Sequence, residues 1–231
     1  IGLNPDIVIF TKYGIIMSRE EWLIAMKRKD LTLTDMQIVR NECRLCAQVG
    51  GRGDRNRPVK YADKKLSDLN VQGQTPNMGE AMSFDIATGR YFTQAEYDTA
   101  AAVGLIGWDV QDQLFPNQDP IGRVMKVGGY PIKVIGTLAK QGNVMGQSQD
   151  NVVYMPLTVF KNHVAPTSDI GIFIKPKNGV AGVAAVTDEV PSYAGAFGGP
   201  MGDNIENAVQ MALAGFLRLA EREQEGGCAG A

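Results

Sequence analysis

Gln113-Leu114-Phe115-Pro116-Asn117-Gln118-Asp119-Pro120-Ile121-Gly122-Arg123-Val124-Met125-Lys126-Val127-Gly128-Gly129-Tyr130-Pro131-Ile132-Lys133-Val134-Ile135-Gly136 runs from the end of one regular element through the whole of another. Val110 and Leu114 lie four apart, as the buried stripe of a helix requires, and Pro116 stops that helix at about 115. From Ile121 onward apolar and polar residues alternate on two arms with Gly128-Gly129 between them. That pattern predicts a β-hairpin, because its tight turn needs residues that accept positive φ. Just upstream, Ala102-Val103-Gly104-Leu105-Ile106-Gly107 reads as a short buried strand ending in glycine. Before it, Thr93 with Glu96 three residues on marks a capped helix start. Downstream lie a Gly-, Gln- and Asn-rich loop over 139–150 and a strand at Val152-Val153-Tyr154-Met155-Pro156-Leu157. Strands and helices alternate without a repeat, which is an α+β pattern.

Toward the N-terminus, Asp6-Ile7-Val8-Ile9-Phe10 reads as a strand, and Ser18-Arg19-Glu20-Glu21 opens a short helix. A second helix is expected from Thr34, with Met36 and Val39 on one face. Residues 43–49 then read as a strand, and 50–58 (GGRGDRNRP) as an exposed, charged turn. Val59-Lys60-Tyr61 and Leu69-Asn70-Val71-Gln72-Gly73 alternate as half-buried strands do, and Thr75-Pro76-Asn77 breaks the run. Toward the C-terminus, Ile170-Gly171-Ile172-Phe173-Ile174-Lys175 is a strand, followed by a helix over 180–190 with Val183, Val186 and Val190 on one face. The Gly- and Pro-rich segment after Pro191 allows no assignment. Asp203 and Glu206 then cap an amphipathic helix over about 203–225, striped by Ile205, Val209, Leu213, Phe216 and Ala220.

The 231 residues suffice for one large domain or two small ones. With 23 basic against 25 acidic residues the net charge is −2, which argues against a nucleic-acid binder. No apolar run approaches the ~20 residues of a membrane-crossing helix, and no signal-peptide pattern is visible. The first residue is Ile1 rather than Met, as expected of a piece processed or cut from something larger. Cys43 and Cys46 form C-x-x-C and Cys228 lies near the end. A zinc site needs two more ligands, and the only histidine, His163, is distant in sequence. If 43–49 is a strand, positions i and i+3 face opposite sides, so no bond between Cys43 and Cys46 is expected.

Reactive constellations are scarce. His163 is the only imidazole base, and no Gly-x-Ser-x-Gly elbow surrounds any serine. Neither Gly-x-x-x-x-Gly-Lys-Ser/Thr nor Gly-x-Gly-x-x-Gly follows a strand. Arg52-Gly53-Asp54 spells an adhesion tripeptide by coincidence of a Gly-rich turn. Asp109, Asp112 and Asp119 are the nearest approach to a carboxylate cluster, and the ten methionines read as core filler. The polar loop over 142–150 is the remaining candidate for binding, since long polar loops on a rigid scaffold are where partner contacts lie.

Thr88-Gly89-Arg90-Tyr91-Phe92-Thr93, Val103-Gly104-Leu105-Ile106-Gly107, the Leu114-Phe115 to Asp119-Pro120-Ile121-Gly122 segment, the hairpin ending Val134-Ile135-Gly136, and Gln147-Ser148-Gln149-Asp150-Asn151-Val152-Val153-Tyr154-Met155-Pro156-Leu157 follow one another in a characteristic order. In this order they resemble the MacB-type periplasmic core domain of ABC transporter permeases. The resemblance covers residues 1 to about 190, and the segment after 190 departs from the family pattern. It implies an α+β fold of two subdomains: a discontinuous porter-like subdomain (1–84 and 166–190) and an inserted, Sabre-like α/β subdomain (85–165), with 191–231 an atypical tail. It further implies an extracytoplasmic, periplasmic domain of an inner-membrane protein, with no enzymatic activity or cofactor of its own. ATP would be bound by a separate cytoplasmic ATPase domain or subunit. Expected partners are that ATPase, a second permease copy, a periplasmic adaptor and an outer-membrane channel, in export of a drug, peptide or lipoprotein by mechanical transmission. Asn143, Met145, Gln147 and Gln149 are the candidate partner-contact residues. The alternatives are a free-standing periplasmic binding or adaptor module of the same fold, and a small hydrolase, which lacks a nucleophile–base pair.

Overall fold

The structure is a computed structural model that describes residues 7–12, 18–27, 29–81, 84–144 and 147–190. The expected helix over 203–225 and Met145 lie outside the described residues. In chain order the elements are β1 (Val8–Phe10), α1 (Arg19–Lys27), α2 (Leu33–Glu42), β2 (Cys46–Tyr61), β3 (Lys64–Gln74), α3 (Asn77–Ala81) and β4 (Ile86–Gly89). There follow α4 (Gln94–Asp98), β5 (Val103–Ile106), α5 (Trp108–Leu114), β6 (Val124–Val127), β7 (Tyr130–Leu138), β8 (Asn143–Val144), β9 (Gln147–Ser148) and β10 (Val152–Pro156). A helical turn α6 (Leu157–Val159) runs into a π-helical turn over Phe160–Val164, and β11 (Gly171–Pro176), a 3-10 turn over Gly179–Gly182 and α7 (Val183–Glu189) complete the chain.

The described residues gather into two compact units, one within 50–170 and one formed by 7–49 with 171–190. The resemblance implied divisions after 84 and after 165, whereas the packing of the chain divides it after 49 and after 170. The two divisions differ chiefly over most of β2 and all of β3 and α3.

In the middle unit β2, β3, β10, β5 and β7 pair in that order, β4 joins β7, and β6 pairs with both β7 and β2. The pairings β2–β3–β10–β5–β7–β6–β2 therefore close into a ring of six strands. Closure removes the exposed edges that an open sheet would present. The ring is mixed: β10 runs parallel to β3, and β5 parallel to β7, while the other pairs are antiparallel. Registered neighbours share a face, so Val71, Val153 and Ile106 stack across three strands, as do Met125 with Ile132 and Val59 with Val127. All seven are fully buried. The predicted hairpin is β6–β7, with Gly128 at φ 58° and Gly129 at φ 95° between its arms.

The largest departure from the sequence reading is at 50–58. GGRGDRNRP is no turn but the middle of the 16-residue strand β2, with a bulge between Arg57 and Val59. The chain reverses later, at Ala62 and Asp63, where Ala62 takes φ 48°. The glycines serve close approach rather than turning. Gly53 of β2 lies opposite Gly73 of β3, and the buried ring of Phe160 fills the space their missing side chains leave. Arg52 and Asp54, two apart on the same strand face, form an ion pair at 3.8 Å, so the RGD tripeptide is extended strand.

In the other unit β1 pairs antiparallel with β11, Val8 opposite Ile174 and Phe10 opposite Ile172. α2 starts at Leu33, one residue before its expected position, with Thr32 as its cap: the Thr32 hydroxyl accepts from Asp35 N and the Asp35 carboxylate accepts from Thr32 N. Met36 and Val39 are buried as their spacing required. The helix expected over 180–190 opens as the 3-10 turn and becomes α7, with Val186 and Val190 fully buried.

The cysteine pair is a second correction. Cys43 and Cys46 form a disulfide, with Cα atoms 5.5 Å apart. The two cysteines are not on opposite faces of one strand, because the strand begins only at Cys46. Cys43 directly follows α2, whose C-terminus it caps by donating its N–H to Val39 O, and the chain bends through Arg44 and Leu45.

Candidate functional site

The ordered motifs prove to be packing and backbone devices. Gly89 takes φ 83°, and a Cβ there would lie 2.3 Å from Ile135 O. Arg90 donates twice to Glu96, at 2.8 Å from each terminal nitrogen, while Glu96 also accepts from Thr93 N at 2.8 Å. The Arg90 hydrogen bonds, aided by those from Thr93, hold the Glu96 carboxyl down at about 2. Phe92 packs with Leu105, Leu138, Val152 and Tyr154, and Phe84 stacks on Tyr154 at 4.7 Å. The Tyr91 hydroxyl donates to Gln74 at 2.8 Å, and burial pushes its pKa well up. Leu114 and Phe115 are buried, Phe115 lying 4.2 Å from the Tyr61 ring. Asp119 accepts from Ile121 N at 2.9 Å, Gly122 turns at φ 81°, and a Cβ on Gly136 would lie 2.7 Å from Arg90 O.

The segment over 139–150 is the candidate contact surface, and it is more ordered than a plain loop. β8 and β9 form a two-residue hairpin, Asn143 opposite Ser148 and Val144 opposite Gln147. Its base is held by Asp150, a buried carboxylate that accepts from Gln141 N and Gly142 N, each at 2.8 Å. Charged acceptors strengthen such bonds. Gln149 N donates to Gly142 O at 3.0 Å, and Asp150 N to Ser148 Oγ at 3.1 Å. Ser148 Oγ in turn donates to Asp109 at the start of α5, at 2.5 Å. Gly107 lies against the same base, for a Cβ there would meet Asp150 O at 2.1 Å. The hairpin is thus tied to the N-terminal end of α5, whose first residue, Trp108, is 39% exposed. Lys140 Nζ stands 6.0 Å from that indole.

Of the expected contact residues, Asn143 is exposed, Gln149 is half-buried and Gln147 lies in β9. The sequence reading missed Trp108, Lys140 and the role of Asp150. A Ser-x-Asp pair just before a strand is a signal for a loop whose side chains bond its own backbone, and it would have identified Asp150. His163 is exposed and lies parallel to Tyr130 with ring centres 4.0 Å apart. Asp109 and Asp119 serve Ser148 and Ile121 separately. Among the described residues no three His, Cys, Asp or Glu side chains could hold a metal ion. No described helix is long and apolar enough to cross a membrane.

Residues 4–193 match the family described as the MacB-like periplasmic core domain. The chain belongs to that family. The macrolide export ATP-binding/permease protein MacB of Syntrophobacter fumaroxidans is 27% identical over 163 residues, 70% of this chain and 22% of that protein. The pyoverdine export ATP-binding/permease protein PvdT of Pseudomonas aeruginosa is 36% identical over 87 residues, 37% of this chain and 13% of that one. This MacB-like domain therefore spans no more than about a fifth of the curated relatives' length. Two crystal structures share its fold: the periplasmic region of MacB from Actinobacillus actinomycetemcomitans (TM-score 0.68, 18% identity, 84% of this chain and 86% of that) and the extracellular domain of YknZ, a noncanonic ABC-type transporter of Gram-positive bacteria (TM-score 0.64, 18% identity, 82% and 95%). Both confirm the α+β class.

Proposed function

We propose that the MacB-like domain is the extracytoplasmic part of an ABC export permease, working by contact rather than by chemistry. In this reading ATP is hydrolysed by a separate cytoplasmic ATPase domain or subunit. The domain transmits the resulting motion to a second permease copy and to a periplasmic adaptor, driving export of a drug, peptide or lipoprotein. The porter-like (1–84 and 166–190) and Sabre-like (85–165) subdomains are the bodies that would move. The observation that carries the reading is the family match over 4–193. The geometry supports it: the motif residues go into caps, ion pairs and tight backbone approaches that stiffen a scaffold, while the Asp150-tied hairpin, Trp108 and Lys140 lie at its surface. A stiffened middle unit with a partly aromatic surface suits the transfer of force between proteins.

The test is photo-crosslinking from position 108 or 143 in the permease that carries this domain, co-expressed with its ATPase and adaptor. The expected result is a covalent adduct with the adaptor or the second permease copy that changes in yield when ATP hydrolysis is blocked. An adduct with neither, from a permease that still exports, refutes the contact surface.

A further inference from the structure

We propose that the Cys43–Cys46 disulfide is a solvent-accessible redox latch, which a dithiol reductant opens to release the last turn of α7. Both cysteines are half-buried rather than enclosed, and Arg44 and Leu45 between them are exposed, so a thiolate can reach the bond. The turn it closes is a meeting point within its unit. Glu189, the last residue of α7, accepts from Arg44 N at 3.1 Å and Leu45 N at 3.2 Å. On the other side Lys177, just past β11, donates its N–H to Leu45 O at 2.9 Å and its ammonium to Arg44 O at 2.6 Å. Cys43 itself caps α2. Two successive amides aimed at one carboxylate make an anion-binding nest, an arrangement that a free chain does not hold unaided.

A disulfide across a sequence separation of three removes little freedom from the unfolded chain, so its effect is local: it keeps the 43–46 turn in the shape that Glu189 and Lys177 read. Reduction breaks the Sγ–Sγ bond. Two electrons and two protons pass from the dithiol to Cys43 and Cys46, and the reductant's own sulfurs join as a disulfide. Cys43 Sγ lies 3.6 Å from Glu189 Oε2. The new thiol there is a donor, and it competes with the Arg44 and Leu45 amides for the carboxylate. Val190, fully buried, follows Glu189 directly, so the latch governs how the last described residues are seated. The proposal stands apart from the export reading, and its readouts need no transport.

The test uses the whole 231-residue chain. Alkylation of the 43–46 peptide is followed by mass spectrometry during a dithiothreitol titration without denaturant, with amide hydrogen exchange measured on both forms. The bond is expected intact in the air-oxidised protein and to open without unfolding. Opening should speed exchange about tenfold or more at 43–46, 177 and 183–190, and leave 103–106 and 152–156 unchanged. Cys43→Ser with Cys46→Ser should reproduce the reduced pattern, and Glu189→Ala should speed exchange at 44 and 45 with the bond intact. The latch is overturned by a pair found unlinked, by opening only in denaturant, by unchanged exchange after opening, or by an equal rise along the whole chain.

Discussion

Replacing Gly73 with alanine puts a methyl group where the side chain of Phe160 already is. The added Cβ would lie 2.3 Å from Phe160 Cβ, 2.6 Å from Cγ and 3.0 Å from Cδ1, against the 3.5–4.0 Å of ordinary carbon contacts. Neither side can easily yield. Gly73 is paired with Gly53 on one flank and Met155 on the other, and Phe160 is fully buried. Overpacking of this kind costs about 1–3 kcal/mol, and a clash with an atom bonded to backbone belongs at the upper end. For a chain of this size about 3 kcal/mol lowers Tm by about 6–12 °C. At Gly53 the nearest atom is Phe160 Cε1 at 2.9 Å, the far edge of a ring that can tilt, so Gly53→Ala should cost only about 1 kcal/mol. A double-mutant cycle separates the two contacts. Phe160→Ala removes the ring but keeps Cβ, so it should abolish the added cost at position 53 and leave the cost at 73 largely in place. Urea unfolding followed by circular dichroism gives each value. Both glycine variants within about 0.5 kcal/mol of the unaltered chain, the behaviour of an exposed turn, would refute the packing argument.

Two further outcomes follow from the caps and ties. Glu96 has its folded pKa depressed to about 2, below the unfolded value near 4.3, so its stabilisation is present above about pH 4 and is lost as pH falls toward 2. Because Arg90 is more than half exposed, solvent screening limits the effect to about 1 kcal/mol. Stability curves of the unaltered chain and Glu96→Gln should therefore differ at pH 6 and converge near pH 2; a constant gap would contradict the assignment. Asp150→Ala strips two buried-side hydrogen bonds from the β8–β9 hairpin, a loss of about 2–3 kcal/mol. Hydrogen exchange at Gln141 and Gly142 should rise at least tenfold, and unchanged protection there would show that the carboxylate does not hold the loop.

The reading of the chain succeeded where the controlling forces are local. The capping box at Thr93 and Glu96, the Gly128-Gly129 turn, and the Val110–Leu114 spacing stopped by Pro116 each concern atoms within a few residues of one another, and the structure shows all three. The motif order also led to the family. In the candidate site the polar composition of 142–150 was legible, but the buried carboxylate that shapes the segment and the indole beside it were not. Asp150 acts through hydrogen bonds to 141 and 142, and Trp108 is brought near by the pairing of β5 with β10.

The sequence by itself determined the α+β class and the order α4, β5, α5, β6, β7 and β10, because capping, turn chemistry and hydrophobic period are short-range properties, and the motif order led to the family. Only the tertiary structure decided the course of 43–61. Three glycines within GGRGDRNRP and a fourth beyond it, Gly73, spell a turn and a weakened strand by propensity. In the folded chain two of them, Gly53 and Gly73, let β2 and β3 pass beneath Phe160, a residue 107 positions after Gly53. Cys43 and Cys46 likewise read as opposite faces of one strand until the first of them is seen to cap α2 and only the second to begin β2. The closure of six strands into a ring depends on β6 finding β2, some 65 residues earlier, and no local pattern encodes such a pairing.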